Sequence, residues 1–232
     1  MVPASEIAAA TRKALIKAIV FQGLLAGLLL GGSGDARWVA AWLLLAVFVT
    51  AQLAAFREMK RKPDLLVERT TLQPGTKSWD KLLVALLAIV VPLTVWMTAA
   101  LDHRYGWTGR EPIVLAAAGF ILIVLGVRLT QWAIAQNRFF AATVRIQNDR
   151  GQTVVSTGPY GYVRHPGYVG MLALTIGTPL ALGSEWALLP TAVGVAVLIV
   201  RTALEDRTLQ AELPGYVDYT RRVRFRLVPY VW

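Results

Sequence analysis

The chain has 232 residues, of which 56% are hydrophobic and 16% charged, and its formal net charge is +10. Soluble domains carry about 25% charged residues, so this composition argues against a soluble protein. With no cysteine and only two histidines, disulfides, thiolate metal sites and most histidine-based metal sites are excluded, and we expect no bound metal. The positive charge lies between long apolar runs, which predicts a lipid bilayer with an anionic inner leaflet as the partner, not nucleic acid.

Apolar runs long enough to cross a bilayer follow one another along the chain, since a transmembrane helix needs about 20 such residues. Four runs cover residues 14–31, 38–56, 82–101 and 113–135. A further apolar stretch, residues 168–200, is interrupted by Gly183, Ser184 and Glu185, which predicts two helices in a tight hairpin. The sequence therefore predicts an all-α polytopic membrane bundle of about six transmembrane helices, the last two short or tilted.

The loops between these runs differ in positive charge. Segment 57–81, segment 136–166 and the tail after residue 200 carry seven, four and six Lys or Arg residues. The connection at 31–37 carries one, and the connection at 102–111 carries Arg104 and Arg110. Because positively charged loops stay in the cytoplasm, we expect both termini and the large polar segments there. This favours a protein that acts on a substrate reached from the inner leaflet.

Two features of the N-terminal half have structural interpretations. Segment 57–81 is interpreted as a positively charged membrane anchor, with Leu65, Leu66 and Trp79 along the interface. Arg128 lies inside the fourth apolar run, where it either faces the interior of the bundle or snorkels to the cytoplasm.

The stretch 158–170 is dense in Gly, Pro, His and Tyr, which favours a ligand site over a loop that only enters the membrane. His165, Pro166 and Gly167 predict a turn, and Pro166 suits the first turn of a following helix. The N-terminus of that helix attracts an anionic group such as a ligand carboxylate, and Arg164 and His165 would add hydrogen-bond donors.

Arg201 and Glu205 lie four residues apart at the end of the last apolar run, so they share one helical face. A charged pair at a membrane boundary is unfavourable without a partner or a function. The two residues are interpreted either as a mutual ion pair that caps the helix or as part of the ligand site. Tyr216 and Tyr219 follow in a predicted short amphipathic helix.

The sequence contains neither a P-loop nor a glycine-rich dinucleotide fingerprint, so helix ends and the cytoplasmic segments would have to hold a nucleotide-type cofactor. An ordered set of motifs resembles the isoprenylcysteine carboxyl methyltransferase family and the related phospholipid methyltransferases. The set is Ile146-Gln-Asn-Asp149, Gly158-Pro-Tyr160, Arg164-His-Pro-Gly-Tyr-Val-Gly170, Arg201-x-x-x-Glu205, and Tyr216-x-x-Tyr219 followed by Pro229. It predicts an N-terminal four-helix membrane region, 1–135, and a methyltransferase-like region, 136–232.

The resemblance implies S-adenosylmethionine-dependent methyl transfer at the cytoplasmic membrane face to a lipophilic acceptor, as in isoprenylcysteine O-methylation. Carried over by position, Glu205 would bind the positively charged portion of the cofactor and Arg201 the acceptor's carboxylate, with Arg164 beside them as a second catalytic residue. The other cofactor-binding residues that it implies are Gln147, Gln152, Thr153, Val154, Val155, Tyr160, His165, Pro166, Gly167 and Tyr168. The family often has His at the position of Gln152.

Other interpretations remain open at this point. A small lipid, an isoprenoid acid or an amine headgroup would each suit a membrane methyltransferase as acceptor. A membrane reductase of the sterol-reductase type would use NADPH and share a similar C-terminal pattern. A transporter or scaffold would bind no cofactor and would line a polar path through the bilayer. No obligatory protein partner is expected for any of them.

Overall fold

The computed structural model describes residues 3–71, 73–109 and 112–232, and within these ranges the regular secondary structure is helical. Short 3-10 turns, Asn148–Arg150 and Gly158–Gly161, punctuate the long loop that follows the fifth helix. The helices are α1 (Ala4–Gly31), α2 (Val39–Lys60), α3 (Pro63–Thr70), α4 (Ser78–Tyr105), α5 (Ile113–Gln136), α6 (Pro166–Leu182), α7 (Leu188–Glu212) and α8 (Tyr216–Arg222).

Five of these helices, α1, α2, α4, α5 and α7, are long and apolar enough to cross a membrane. Helix α6 is apolar but has only 17 residues. At 1.5 Å per residue it is about 25 Å long, less than the roughly 30 Å of the hydrocarbon layer. The predicted polytopic helical bundle is confirmed, and the expectation of a short member in the last hairpin applies to α6.

The helices extend beyond the apolar runs that predicted them. Helix α1 begins at Ala4, ahead of the run that starts at residue 14, and α7 continues past Val200 to Glu212. Both extensions contain charged residues, such as Arg12 and Asp206. Hydropathy detects only the part of a helix that lies in lipid, whereas backbone hydrogen bonding continues through its polar ends.

Glycines bring α5 and α6 into close contact. A Cβ atom added at Gly126 would lie 2.6 Å from the carbonyl oxygen of Gly170, and one at Gly177 would lie 2.7 Å from that of Gly119. Small residues let helix backbones approach closely in membranes, where packing replaces the hydrophobic driving force. The two helices therefore hold the loop 137–165 between their ends in a defined position.

The connections gather at two opposite ends of the bundle. At one end Asp35 contacts His103 at 3.1 Å, and Asp102 accepts hydrogen bonds from the Thr108 and Ser184 hydroxyls at 2.6 and 2.5 Å. Helix α3, the loop 137–165 and the C-terminal tail meet at the other end, where Lys77 N–H donates to the Val144 carbonyl at 2.9 Å. This segregation agrees with the predicted division of the loops.

The structure gives the position of Arg128, the basic residue within the fourth apolar run. Arg128 is exposed on the outer surface of α5, so its side chain does not face the interior of the bundle. Arg110 lies outside the described residues.

Candidate active site at the loop end of the bundle

A cleft opens at the end of the bundle that carries the long loops. Its walls come from the loop 137–165, the first turn of α6, the C-terminal half of α7 and α8. The empty volume is about 840 Å³, including the space at the open mouth.

Every residue that the sequence predicted for the site lies on the wall of this one cleft, although they span residues 147–205 of the chain. They are Gln147, Gln152, Thr153, Val154, Val155, Tyr160, Arg164, His165, Pro166, Gly167, Tyr168, Arg201 and Glu205. The structure thus brings the predicted residues together, and the role of each one stays a prediction.

Asp206 anchors the loop and the tail to α7. It is fully buried and accepts hydrogen bonds from Arg164 Nε and Nη2 at 2.8 and 2.9 Å and from Arg226 Nε at 2.8 Å. The Arg164 Nη1 group donates to the carbonyls of Val223 and Arg224 at 3.0 and 2.7 Å. Because all three nitrogens of Arg164 have partners within the protein, its guanidinium fixes the wall of the cleft in this arrangement.

The first turn of α6 is held by the same tail. The N–H groups of Arg164 and His165 donate to the carbonyls of Phe225 and Arg226 at 2.9 and 3.0 Å. A Cβ atom at Gly167 would lie 2.6 Å from the ring of Phe140, so only glycine lets this turn pack against that ring. The position of the turn that was predicted to attract an anion thus depends on the C-terminal segment.

Arg201 pairs with a residue that the sequence analysis did not place in the site. Asp80 of α4 is fully buried and accepts from Arg201 Nε at 2.7 Å, from Arg201 Nη2 at 3.2 Å and from the N–H of Val144 at 2.6 Å. Arg201 Nη2 also donates to the Ala142 carbonyl at 2.9 Å. The Asp80 contacts replace the mutual Arg201–Glu205 ion pair, which does not form here. A buried acid 121 positions away carries no local sequence signal.

Glu205 has surroundings of a different kind. Its carboxylate accepts a hydrogen bond from the Tyr168 hydroxyl, and the Arg201 guanidinium lies over the Tyr168 ring, 5.1 Å from its centre. Among the described residues, no cation lies within 4.0 Å of the Glu205 carboxylate. Glu205 is therefore the acid on the cleft wall whose charge the protein does not balance with a salt bridge.

Glutamines shape the loop at the far wall. Gln147 is almost fully buried and donates through Nε2 to the Phe139 carbonyl at 2.8 Å. The side-chain oxygen of Gln152 accepts the N–H of Gln147 at 2.7 Å, which closes the turn around Asn148–Arg150. The side chain of Gln152 thus has a structural contact in this loop.

Helix α3 supports the same loop from outside the cleft. Glu68 accepts from Arg145 Nε and Nη2 at 2.8 and 2.7 Å, and both side chains are buried. The hydrogen bonds from Arg145 to Glu68 and Asp149 raise the pKa of Arg145, so it stays charged. Segment 57–81 therefore has a structural role that its interpretation as a membrane anchor did not predict, because α3 supports the loop that forms one wall of the cleft.

Comparison with known proteins identifies the relatives of this region. The profile of the phospholipid methyltransferase family matches residues 114–213, which contain every predicted site residue. The chain is 29% identical to the protein-S-isoprenylcysteine O-methyltransferase of Rattus norvegicus and 28% identical to that of Homo sapiens, over 65% of the chain in each case.

The chain is thus similar to the isoprenylcysteine O-methyltransferases and, over residues 114–213, to the phospholipid methyltransferase family. The matched stretch covers 55% of the length of these two relatives, so the chain spans about half of each. A delta(14)-sterol reductase of Mus musculus is 30% identical over 58% of the chain and 36% of its own length.

The family profile covers only the middle of the chain. The family profile begins within α5 and ends at the close of α7, so it includes Arg201 and Glu205 but not Asp80 or Arg226. The contacts of those two outer residues show that α4 and the tail hold Arg201 and Asp206 of α7 in position behind the cleft wall.

Proposed function

We propose that this protein is an integral membrane methyltransferase that uses S-adenosylmethionine to methylate the carboxylate of a lipophilic acceptor. The names of the relatives suggest an isoprenylated cysteine as the class of acceptor. We also propose that the cleft lies on the cytoplasmic side, that residues 136–232 carry the site, and that residues 1–135 form the membrane region beside it.

The charge balance of the cleft is the observation that carries this proposal. Three arginines line the cleft, and each has a carboxylate partner: Arg145 with Glu68, Arg164 with Asp206, and Arg201 with Asp80. Glu205 is left with a negative charge and no salt bridge among the described residues. A cationic ligand would supply the missing charge, and S-adenosylmethionine carries both an ammonium and a sulfonium.

The residues present fit such a cofactor. Glu205 would bind a cationic part, and the N-terminus of α6 would take the carboxylate. The apolar wall at Val154 and Val155 and the aromatic ring of Tyr160 offer surface to the rest of the molecule. Burial raises the pKa of Tyr160, so its hydroxyl stays protonated and available as a hydrogen-bond donor.

Methyl transfer to a carboxylate requires little acid–base catalysis from the protein. When bound, S-adenosylmethionine supplies an electrophilic methyl group, which the acceptor's carboxylate oxygen takes while the sulfonium becomes a neutral thioether. A carboxyl group is already ionised at neutral pH, so no general base is needed. The protein's part is to align the reactants and exclude water. Arg201 would hold the acceptor's carboxylate through Nη1, since Asp80 and Ala142 bind its other two nitrogens and no described residue accepts a hydrogen bond from Nη1.

Replacement of Glu205 tests the site directly. We expect Glu205→Ala to weaken binding of S-adenosylmethionine and of its demethylated product by about tenfold or more, because a charged hydrogen-bond partner is lost. Isothermal titration of the purified full chain in detergent would measure the dissociation constants. Glu212→Ala is the matched control, since Glu212 lies on the same helix and pairs with Lys77 outside the cleft. Unchanged affinity in a folded Glu205→Ala protein would disprove the assignment.

The match to a sterol reductase supports a second candidate, an NADPH-dependent membrane reductase. The charge balance argues against it, because the phosphates of NADPH are anionic and the arginines of the cleft are already neutralised. Titration of the same preparation with NADPH and with S-adenosylmethionine separates the two functions. Binding of NADPH alone would favour the reductase.

A further inference from the structure

The C-terminal tail, residues 223–232, presents exposed apolar side chains at the loop end of the bundle. Tyr230 and Val231 are 93% and 78% exposed, and Val228 is 38% exposed. They lie in a closed turn, since the N–H groups of Val231 and Trp232 both donate to the Val228 carbonyl at 3.1 Å. Tyr230 has a φ of 66°, in the left-handed region that is unfavourable for residues other than glycine. The turn therefore displays an aromatic ring at a position where the backbone alone would favour glycine.

The hydrogen bonds of the tail place it at the level where the apolar helix α6 begins. The carbonyls of Phe225 and Arg226 accept from the N–H groups of Arg164 and His165, the two residues that precede α6. A segment held at the start of an apolar membrane helix lies in the headgroup region of the bilayer. Tyrosine is enriched in that region because it combines an apolar ring with a polar hydroxyl. The exposed turn of the tail therefore suits a bilayer interface.

Arginines beside the turn add positive charge that the protein does not balance. The side chains of Arg222 and Arg224 are exposed, and no carboxylate of the described residues lies within 4.0 Å of either. Arg221, by contrast, pairs with Asp218 at 3.0 Å. Exposed arginines next to exposed apolar side chains are typical of segments that bind an anionic membrane surface. The charge and the apolar side chains of the tail thus fit the same partner.

The tail also fixes the first turn of α6 on the cleft wall. Besides the two backbone hydrogen bonds, Arg226 Nε donates to the buried Asp206 carboxylate at 2.8 Å, and the Arg226 guanidinium lies 4.9 Å from the centre of the Trp232 ring. The N-terminus of α6 is the part of the cleft proposed above for the carboxylate of the cofactor. Because binding at two sites that require the same arrangement is reciprocally coupled, a partner that holds the tail in place favours cofactor binding as well.

We propose that the tail binds the surface of an anionic phospholipid bilayer, and that this binding raises the affinity of the cleft for S-adenosylmethionine. Arg222 and Arg224 contact the anionic headgroups, and the apolar turn around Tyr230 inserts between them. The first part of the inference is independent of the reaction, whereas the second part rests on the proposed function. The cofactor affinity of the protein then depends on the lipid composition of its membrane.

Fluorescence quenching by lipid tests the contact itself. Because the chain has no cysteine, Val231→Cys can carry a single fluorophore. The labelled full chain would be reconstituted in nanodiscs of brominated phosphatidylcholine, with or without phosphatidylglycerol. We expect stronger quenching when phosphatidylglycerol is present, and the increase should disappear when Arg222 and Arg224 are both changed to Gln. Equal quenching in the two lipid compositions would overturn the inference.

Matched variants separate the tail from the general charge of this end of the bundle. The double variant Arg57→Gln, Arg61→Gln removes the same charge from exposed positions near the end of α2 and should be quenched as the wild type is. Tyr230→Gly relieves the unfavourable φ but removes the ring, so the turn should still form while the quenching of the label decreases. Unchanged quenching in Tyr230→Gly would contradict insertion of the turn.

Titurating the cofactor product in the same nanodiscs tests the coupling. We expect the unlabelled wild-type protein to bind S-adenosylhomocysteine about fivefold more tightly with phosphatidylglycerol than without it, the effect of about one arginine at an anionic surface. The Arg222 and Arg224 double variant should lose this difference, and the Arg57 and Arg61 double variant should keep it. Lipid-dependent quenching with an affinity that does not depend on lipid would overturn the second part alone. A wild-type protein that binds no S-adenosylhomocysteine in either lipid would overturn the proposed function, while the quenching result still decides the first part.

Discussion

Glu205 and Asp206 are adjacent on α7, but their surroundings differ in charge. Asp206 is fully buried and balances Arg164 and Arg226, which fasten the loop and the tail. Glu205 faces the cleft, where Tyr168 donates the hydrogen bond that the structure gives it. Successive residues on a helix point about 100° apart, so one turn of α7 presents one acid to the protein and the other to the cleft.

Asp206→Asn tests the structural half of this division. The amide cannot balance the buried cations, so we expect a loss of about 3 kcal/mol or more in the free energy of unfolding. Thermal unfolding of the ligand-free protein in detergent would show it as a lower Tm. Asp218→Asn removes an acid of an exposed pair with Arg221 and should leave Tm near the wild-type value. Equal Tm values for the two variants would contradict the anchoring role of Asp206.

At the scale of elements, the α5–α6 contact sets the distance between the two ends of the loop 137–165. The glycines that permit it are recognisable only once the helices are paired, because Gly119, Gly126, Gly170 and Gly177 form no single motif in the chain. Glycine in a helix interior is less favourable than alanine by roughly 1 kcal/mol, so its presence at these positions is explained by close packing.

Substitutions at Gly126 test this contact. Gly126→Ala should lower Tm, and Gly126→Val should lower it further. A Cβ at this position would lie 2.6 Å from the Gly170 carbonyl oxygen, so the two backbones would have to separate. Overpacking of this kind destabilises by about 1–3 kcal/mol. Gly27→Val is the control, since a Cβ at Gly27 meets nothing within 4 Å. A Gly126→Val protein as stable as Gly27→Val would show that α5 and α6 are not closely packed.

Helix α3 illustrates the limit of sequence interpretation at this scale. Its basic residues and leucines are typical of an interfacial segment, and Leu65 and Leu66 are in fact fully buried. Asp64 contacts Arg138 and Arg150 across more than 70 positions of the chain. Burial alone would raise the pKa of Asp64, but these hydrogen bonds outweigh it and hold the pKa below its usual value. The local sequence pattern of α3 therefore gave no indication that this helix supports the loop 137–165.

At the scale of the whole molecule, the segregation of loops to two ends leads to a prediction of orientation. The chain has no cysteine, so single cysteines can be introduced without background labelling. In sealed vesicles whose cytoplasmic face points outward, Arg61→Cys should react with a membrane-impermeant maleimide, and Trp107→Cys should react only after permeabilisation. Both side chains are exposed at opposite ends of the bundle. The reverse pattern would place the cleft on the other side of the membrane.

The sequence by itself determined the membrane architecture and predicted a group of site residues that all lie on the wall of one cleft. Hydropathy reports the burial of whole segments in lipid, and the motifs between Gly158 and Glu205 are close enough in the chain to be read as a group. Only the tertiary structure decided which charges remain available to a ligand. The acids that neutralise Arg145, Arg164 and Arg201 lie 77, 42 and 121 positions away, and a salt bridge depends on distance in space, which no local pattern encodes.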